Sequence, residues 1–508
     1  MGMMSGGATF AFVNSEKRMK RFLWLFLGMM VCGCSTPEKI FSLESPFVLG
    51  YQLDISRGKV PQMATLFRIV DILNKLGYNQ FQLYTEHTFA YSRHEAVWCE
   101  ASPMMPDEVR KLDAYCRDRG IELVANQNSF GHLEQWLRHP GYNDLAECPM
   151  GGATVTKWNY TLKFPMCLNP TDPRSLEFLA GLYDELLPCF SSRLVNIGGD
   201  ETMELLDDHV PRTGRSAAEL AQKGPPRVYL DFLLKIDELL KDRGHRMMFW
   251  GDIVLHYPEL IKELPEDAIC LNWGYEAGHP FERQAAQFKA ARRQFYVCPG
   301  TSAWGSLSGR VTNMMGNVDG AMKAAERHGA SGLLLADWGD GGNPQPWLVS
   351  IPALVYTAHR VRGQTLTRAE LAKKIDDLLG GKCGAALLDY GDLYLKTKGP
   401  PHRAEAYRIL RDGCDYARPE GVTDQTMMSM FVMWKTLRTG RDLTGAPEWV
   451  KDDFALIDLL YEAVKVKIDD PKCKNFRAMF EPEYRRLWLK QNRIGGLRDS
   501  LVSVFGPQ

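Results

Sequence analysis

The sequence predicts an α/β protein, a (β/α)8 TIM barrel with a C-terminal helical domain. Three observations predict it. From Phe47 onward, short apolar runs alternate eight times with amphipathic stretches, the pattern of repeated strand–helix units around a parallel sheet. These units occupy roughly 310 residues, which suits a barrel that typically needs about 250. After His359 the strand-like runs stop and helix-period stretches take over. A doubly wound open sheet is the alternative, but the first run is followed by no glycine-rich phosphate loop.

The predicted strands are FVLGYQLDI (47–55), NQFQLYT (79–85), IELVANQ (121–127), RLVNIGG (193–199), RMMFWGD (246–252), AICLNWG (268–274), QFYVCPG (294–300) and GLLLADWG (332–339). Between them lie helical patterns such as 62–77, 105–120 and 227–244, each closed by a glycine where a helix C-cap needs a positive φ. In the C-terminal part, 426–438 and 449–468 read as helices; in the second, Phe454, Ile457, Tyr461 and Val464 recur at helical spacing and mark a core face. The expected organisation is a barrel over 46–364 and a helical domain over 365–508.

Ahead of the barrel, Lys17, Arg18, Lys20 and Arg21 precede the apolar run FLWLFLGMMV and then Val31-Cys32-Gly33-Cys34. The run is about half the roughly 20 residues of a membrane-crossing helix, so it reads as a signal peptide. Its end resembles a bacterial lipobox with Cys34 as the lipidated residue. The expectation is an exported lipoprotein anchored to the membrane, with 1–34 as signal and 35–45 as linker; an ordinary cleaved signal peptide is the alternative. A formal net charge of -1 and the lack of a basic stripe give no footprint for nucleic acid. The ten remaining cysteines, Cys99 to Cys473, contain no Cys-x-x-Cys pair and give no zinc-ribbon pattern.

In such barrels the chemistry sits at the C-terminal ends of the strands. Those ends carry Arg57, Glu86, Asn126 to His132, Asp200-Glu201, Trp250, Asp252, Trp273, Trp304, and Asp337, Trp338 and Asp340. Four tryptophans exceed what an aliphatic barrel interior requires, and aromatic faces interleaved with acids suit sugar rings. The string VNIGGDET (195–202) places two acids side by side, but neighbours in a strand point to opposite faces. That favours one acid and one orienting carboxylate, with the nucleophile coming from elsewhere. The two glycines are expected to let a sugar ring approach the backbone.

Taken in order, these strand ends resemble glycoside hydrolase family 20, the β-N-acetylhexosaminidases, over about 46–365. LDISR (53–57) resembles the family's opening strand, which implies that Arg57 grips sugar hydroxyls. NIGGDE (196–201) resembles its His-x-Gly-Gly-Asp-Glu signature, which implies Glu201 as proton donor and Asp200 as the residue orienting the substrate's 2-acetamido group. YTE (84–86) and NSFGH (128–132) resemble segments that imply Glu86 and His132, with Asn128, as a pair tuning the donor. FWGDI (249–253) implies Trp250 in the sugar pocket and Asp252 behind it, and Trp273, Trp338 and Asp340 resemble later pocket-lining positions.

The implied reaction is substrate-assisted hydrolysis with retention of configuration, acting on a glycan and using no metal or other cofactor. The sequence departs from the family at Asn196 and Asn128, where a histidine and an acid are usual, and at SAWGS (302–306), where Trp304 stands for a tyrosine that holds the acetamide oxygen. Asp340 is one carbon shorter than the family's acid. Two rival readings are a diguanylate cyclase and a barrel that binds carbohydrate without cleaving it. Against the first, Thr202 replaces the aromatic that should follow Gly-Gly-Asp-Glu; against the second, Asp200, Glu201 and Arg57 are all present.

Overall fold

A computed structural model describes residues 47–149, 154–155, 160–161, 164–206, 214–397, 402–413 and 419–506, all within one compact unit. The signal peptide, the linker and Cys34 lie outside the described residues.

The eight barrel strands are β1 (Val48–Asp54), β2 (Gln80–Tyr84), β3 (Glu122–Asn126), β4 (Leu194–Asn196), β5 (Arg246–Trp250), β6 (Ile269–Trp273), β7 (Gln294–Cys298) and β8 (Gly332–Asp337). They form a closed parallel barrel in chain order, with Val48 of β1 opposite Gly332 of β8 closing the ring. Each strand lies inside a predicted run and is nearly all buried, as strands enclosed by helices must be.

The outer helices are α1 (Met63–Leu76), α2 (Pro106–Arg117), α3 (Pro173–Leu186), α4 (Pro225–Lys241), α5 (Phe281–Ala290), α6 (Val311–His328) and α7 (Ile351–Val361). α1 shows why they form. Leu66, Ile69, Val70 and Leu73 recur on one face and are buried against the barrel, each contributing about 1.5–3 kcal/mol. Gly77 then ends the helix at φ 75°, its N–H bonded back to Asn74 and Leu73 carbonyls. The crossover from β5 to β6 differs from the others, having only the short helix Asp252–His256 and a 3-10 turn over Pro258–Glu263.

The C-terminal region is helical: α8 (Arg368–Leu379), α9 (Gly384–Gly391), α10 (Glu405–Asp412), α11 (Asp424–Gly440), α12 (Glu448–Asp469), α13 (Phe476–Leu489) and α14 (Leu497–Phe505). Phe454, Ile457, Tyr461 and Val464 of α12 are all buried. The segment before α14 is tied to the rim of the barrel. Gln62 donates its backbone N–H to the Gln491 carbonyl at 2.9 Å, and Arg493 donates to Val60 at 2.8 Å. No described helix is long and apolar enough to cross a membrane.

Candidate active site

The VNIGGDET turn leaves β4 through Gly198 at φ 69° and Gly199 at φ 85°, then reaches Glu201 at φ 49°. The glycines are there for the backbone. A Cβ on Gly198 would overlap the Asn128 amide oxygen, and positive φ favours glycine at both positions. The sequence-based expectation that they make room for a sugar is corrected accordingly. Asn196 helps to shape this turn, its Oδ1 accepting the Gly198 N–H at 3.1 Å while its Nδ2 donates to Gln82 inside the barrel. Glu201 is a non-glycine residue in a left-handed conformation. Its N–H donates to Asp252 Oδ2 at 3.2 Å, which ties the strained residue to the start of the helix after β5.

His132, on the β3 loop, links the carboxylates to Arg57. Its Nε2 lies 3.3 Å from Asp200 Oδ2 and 3.5 Å from Glu201 Oε2, and its Nδ1 lies 3.3 Å from Arg57 Nη2. Burial opposes charging of this imidazole, but Asp200, followed by Glu201, outweighs it and holds the proton up to about 10. Only the neutral ring, with its proton on Nε2, can accept from Arg57 at Nδ1. Charging the ring and keeping the Arg57 contact therefore compete.

Arg57 contacts three acids. It lies 3.2 Å from Asp54, 3.5 Å from Glu86 and 3.4 Å from Asp340, with its guanidinium over the rings of Tyr84 at 4.9 Å and Trp338 at 5.1 Å. It stands between Glu86 and His132, so the expected Glu86–His132 pair is connected through a cation. Glu86 also accepts from the Tyr84 hydroxyl at 2.9 Å, and Asn128 donates to that hydroxyl at 2.5 Å. Asp54 fixes the base of Arg57 by accepting its backbone N–H at 3.0 Å, and it accepts the Gly339 N–H from the β8 loop at 3.0 Å.

Burial raises the Glu201 carboxyl above the ordinary range, with Asp200 adding to the effect and His132 opposing it. Asp252 is raised by burial and then by the charges of Asp200 and Glu201. Glu201 keeps an exposed edge, its side chain 29% accessible, and Asp340 is more open at 51%. A partly exposed carboxyl that tends to hold its proton suits a general acid.

Aromatic rings close the other side. Trp338 meets Tyr84 edge-on at 4.7 Å and lies 5.7 Å from Trp250, and Trp273 stacks on Tyr275 at 5.2 Å. Trp273 also donates its indole N–H to Asp252 at 3.3 Å. Trp250 is 0% exposed and packed among Tyr84, Met248 and Trp338, so it is a buried floor, in correction of its expected place lining the sugar pocket. It is buried because β5 aims it inward across the barrel end. Trp304 is also largely buried, its ring against Gly300 and edge-on to Tyr275 at 5.0 Å.

The sequence reading missed Tyr275. Its oxygen accepts the Trp338 indole N–H at 2.8 Å, which leaves its own proton free to donate. Burial raises its pKa well above the ordinary phenol value, with smaller contributions from Cys298, Asp200 and Asp340. The only signal was an aromatic residue two positions past Trp273, beyond the predicted strand. Among the described residues no cluster of three or more His, Cys, Asp or Glu side chains is placed to hold a metal ion.

The C-terminal rim of the closed parallel barrel thus brings together Arg57, a carboxylate pair bridged by His132, and a group of indole and phenol rings. Residues 49–301, just under half of the chain, match the glycosyl hydrolase family 20 catalytic domain. The β-hexosaminidase of Akkermansia muciniphila is 25% identical over 229 residues, covering 41% of this chain and 45% of that protein. The lacto-N-biosidase of Bifidobacterium bifidum is 25% identical over 175 residues, covering 34% of this chain and 14% of that protein. This chain thus spans less than half the length of these curated relatives. The chitobiase structure from Flavobacterium johnsoniae has a TM-score of 0.54 at 16% identity over 87% of this chain and 75% of its own, a likeness of fold.

Proposed function

We propose that the chain is a β-N-acetylhexosaminidase-type glycosidase that cleaves by substrate-assisted catalysis with retention. One observation carries the reading. Asp200 Oδ1 is buried beside Glu201 and has no hydrogen-bond partner among the described residues, while Oδ2 is held by His132. A buried acceptor left unpaired costs about 1–3 kcal/mol or more. The N–H of a 2-acetamido group supplies the missing donor and turns the acetamide oxygen toward the anomeric carbon.

In this mechanism the acetamide oxygen attacks C1 as the bond from C1 to the leaving oxygen breaks, and Glu201 transfers its proton to that oxygen. Glu201 then takes a proton from water as the water oxygen attacks C1 and opens the oxazolinium ring. Tyr275 donates a hydrogen bond from its O–H to the acetamide oxygen and keeps its proton, the task that the sequence reading left to Trp304. Arg57 and Asp340 hold the hydroxyls at the far edge of the sugar, and Trp338, Trp273 and Trp304 form the apolar walls. A thiazoline mimic of the cyclised intermediate is the test. The proposal expects inhibition orders of magnitude tighter than by N-acetylglucosamine, and equal weak inhibition by both would refute it.

Export and lipid anchoring at Cys34 are part of the same proposal, supported by the basic, apolar and cysteine-containing segments in order. Cys34→Ala should move the protein from the membrane to the soluble fraction, and a variant still bound to membranes would refute anchoring there.

A further inference from the structure

The barrel interior is not apolar throughout. Below the VNIGGDET turn it carries Gln80 and Gln82 of β2 and Asn196 of β4, all buried, and their three amides form one line. Asn196 Nδ2 donates to Gln82 Oε1 at 3.0 Å, Gln82 Nε2 donates to Gln80 Oε1 at 3.1 Å, and Gln80 Nε2 donates to Glu122 Oε2 at 3.2 Å. Glu122 opens β3 at the N-terminal end of the barrel, where it is exposed and its other oxygen accepts from Ser192 at 2.7 Å. At the upper end, Asn196 Oδ1 accepts the Gly198 N–H at 3.1 Å. The line thus runs from one end of the barrel to the first glycine of the turn that carries Asp200 and Glu201.

The two ends decide how every amide faces. A carboxylate offers only acceptors and a backbone N–H only a donor, whereas a side-chain amide can turn either way. Gln80 must therefore give its NH2 to Glu122, which leaves its oxygen for Gln82, and the same step repeats at Gln82 and Asn196 until an oxygen faces Gly198. Hydrogen bonds in a row polarise one another where the dielectric is low, so the charge at Glu122 strengthens the last acceptor as well as the first. That last acceptor matters to the turn. Glu201 at its end is left-handed without being glycine, a conformation that persists only when its surroundings hold it. Glu122 and Asn196 do not bond to each other. Asn126 is the partner of Asn196 across β3 and β4, and Glu122 lies four residues before Asn126, roughly 13 Å along the strand.

We propose that Glu122, Gln80, Gln82 and Asn196 are positioning residues. They form a one-way hydrogen-bond chain through the barrel whose direction, set by Glu122, holds the Gly198 N–H and with it the placement of Asp200 and Glu201. The effect of the chain on hydrolysis rests on the proposed function, and its effect on stability does not. Asn196, where the sequence departs from the resembling signature, gains a task of its own: one donor below and one acceptor above. The chain moves no proton and acts only through the turn.

The test reverses the direction of the chain. In Asn196→Asp the carboxylate still accepts from Gly198, but its second oxygen faces the Gln82 oxygen, and turning both glutamines only moves the clash down to Glu122. Glu122→Gln removes it: the amide at 122 gives to Gln80, Gln80 to Gln82 and Gln82 to the carboxylate at 196, while the oxygen at 122 still accepts from Ser192. Hydrolysis of an aryl β-N-acetylglucosaminide and denaturant unfolding are measured on the full chain. Glu122→Gln alone should lower kcat less than about threefold, since its oxygen still accepts from Gln80. Asn196→Asp should lower kcat at least about tenfold in the parent, and its cost should be at least about fivefold smaller in Glu122→Gln, with the unfolding midpoint recovering in the same sense. Adding Gln82→Met, similar in shape but unable to relay, should cut that rescue below about twofold. Gln82→Glu gives a second reading if Asn196→Asp does not fold, because it keeps the bond to Asn196 and should be rescued by Glu122→Gln through reversal of Gln80 alone. Substitutions this far apart with no shared partner ordinarily add. Additive losses in both pairs, or a rescue that survives Gln82→Met and so acts through space, overturn the chain. A rescued unfolding midpoint with no hydrolysis of any glycoside by the parent upholds the chain and overturns the catalytic reading.

Discussion

Replacing Tyr275 with Phe removes one oxygen and leaves the stack on Trp273 in place. That oxygen accepts the Trp338 indole N–H at 2.8 Å, and in the proposed mechanism its own O–H donates to the substrate's acetamide oxygen. Two losses follow, and they can be read separately. In the resting protein the indole N–H loses its partner in a largely buried position, which costs about 1–3 kcal/mol of stability. In the reaction, loss of a preorganised donor to an oxygen that changes charge costs about 10²–10³ in kcat, roughly 2.7–4 kcal/mol. The assay is steady-state hydrolysis of an aryl β-N-acetylglucosaminide by Tyr275→Phe and Trp304→Phe, with thermal unfolding of both to separate the stability term. The expected order is a large loss of kcat in Tyr275→Phe and a smaller one in Trp304→Phe. If Tyr275→Phe keeps kcat within about threefold of the parent while Trp304→Phe loses it, the indole is the donor and the reasoning fails.

Three further expectations concern the turn and its electrostatics. Gly198→Ala puts a Cβ onto the Asn128 amide oxygen at φ 69°, so denaturant unfolding should show a loss of about 1–3 kcal/mol. An unchanged midpoint would mean that the turn relaxes freely. His132 binds its proton more tightly when folded, holding it to about 10 against an ordinary value of about 6.5. Its contribution to stability is therefore complete below about pH 6.5 and is lost as pH rises toward 10, and His132→Gln should flatten the melting temperature over that window. An identical slope in the variant would remove His132 from the account. Asp252→Ala should lower kcat with little change in KM, because it frees the Glu201 backbone without touching the sugar; a rise in KM alone would place Asp252 against the substrate.

Much of the barrel was legible because strands buried on both faces leave continuous apolar runs, such as LLLAD in β8. Arg57, Glu86, His132, Asp200, Glu201 and Asp340 could be read as one candidate cluster because strand ends in a barrel converge on one rim, and the structure does place them side by side. What could not be read depends on contacts between distant segments. The need for glycine at 198 comes from Asn128, about 70 residues away in the chain, and the buried state of Trp250 from the opposing side chains of other strands. Tyr275 lies past a strand end, where periodicity carries no information. The amide chain inside the barrel joins β2, β3 and β4, and no local pattern connects Glu122 with Asn196.

The central claim is that Glu201 moves the proton while the substrate's acetamide, held by Asp200, attacks C1. It is tested most directly by the kcat/KM for two aryl β-glycosides that differ only at C2, one bearing an acetamido group and one a hydroxyl, with the parent chain and Glu201→Gln. The account predicts turnover of the acetamido substrate alone, lost by about three orders of magnitude or more in Glu201→Gln. Equal cleavage of both glycosides, or undiminished turnover in the variant, would contradict it.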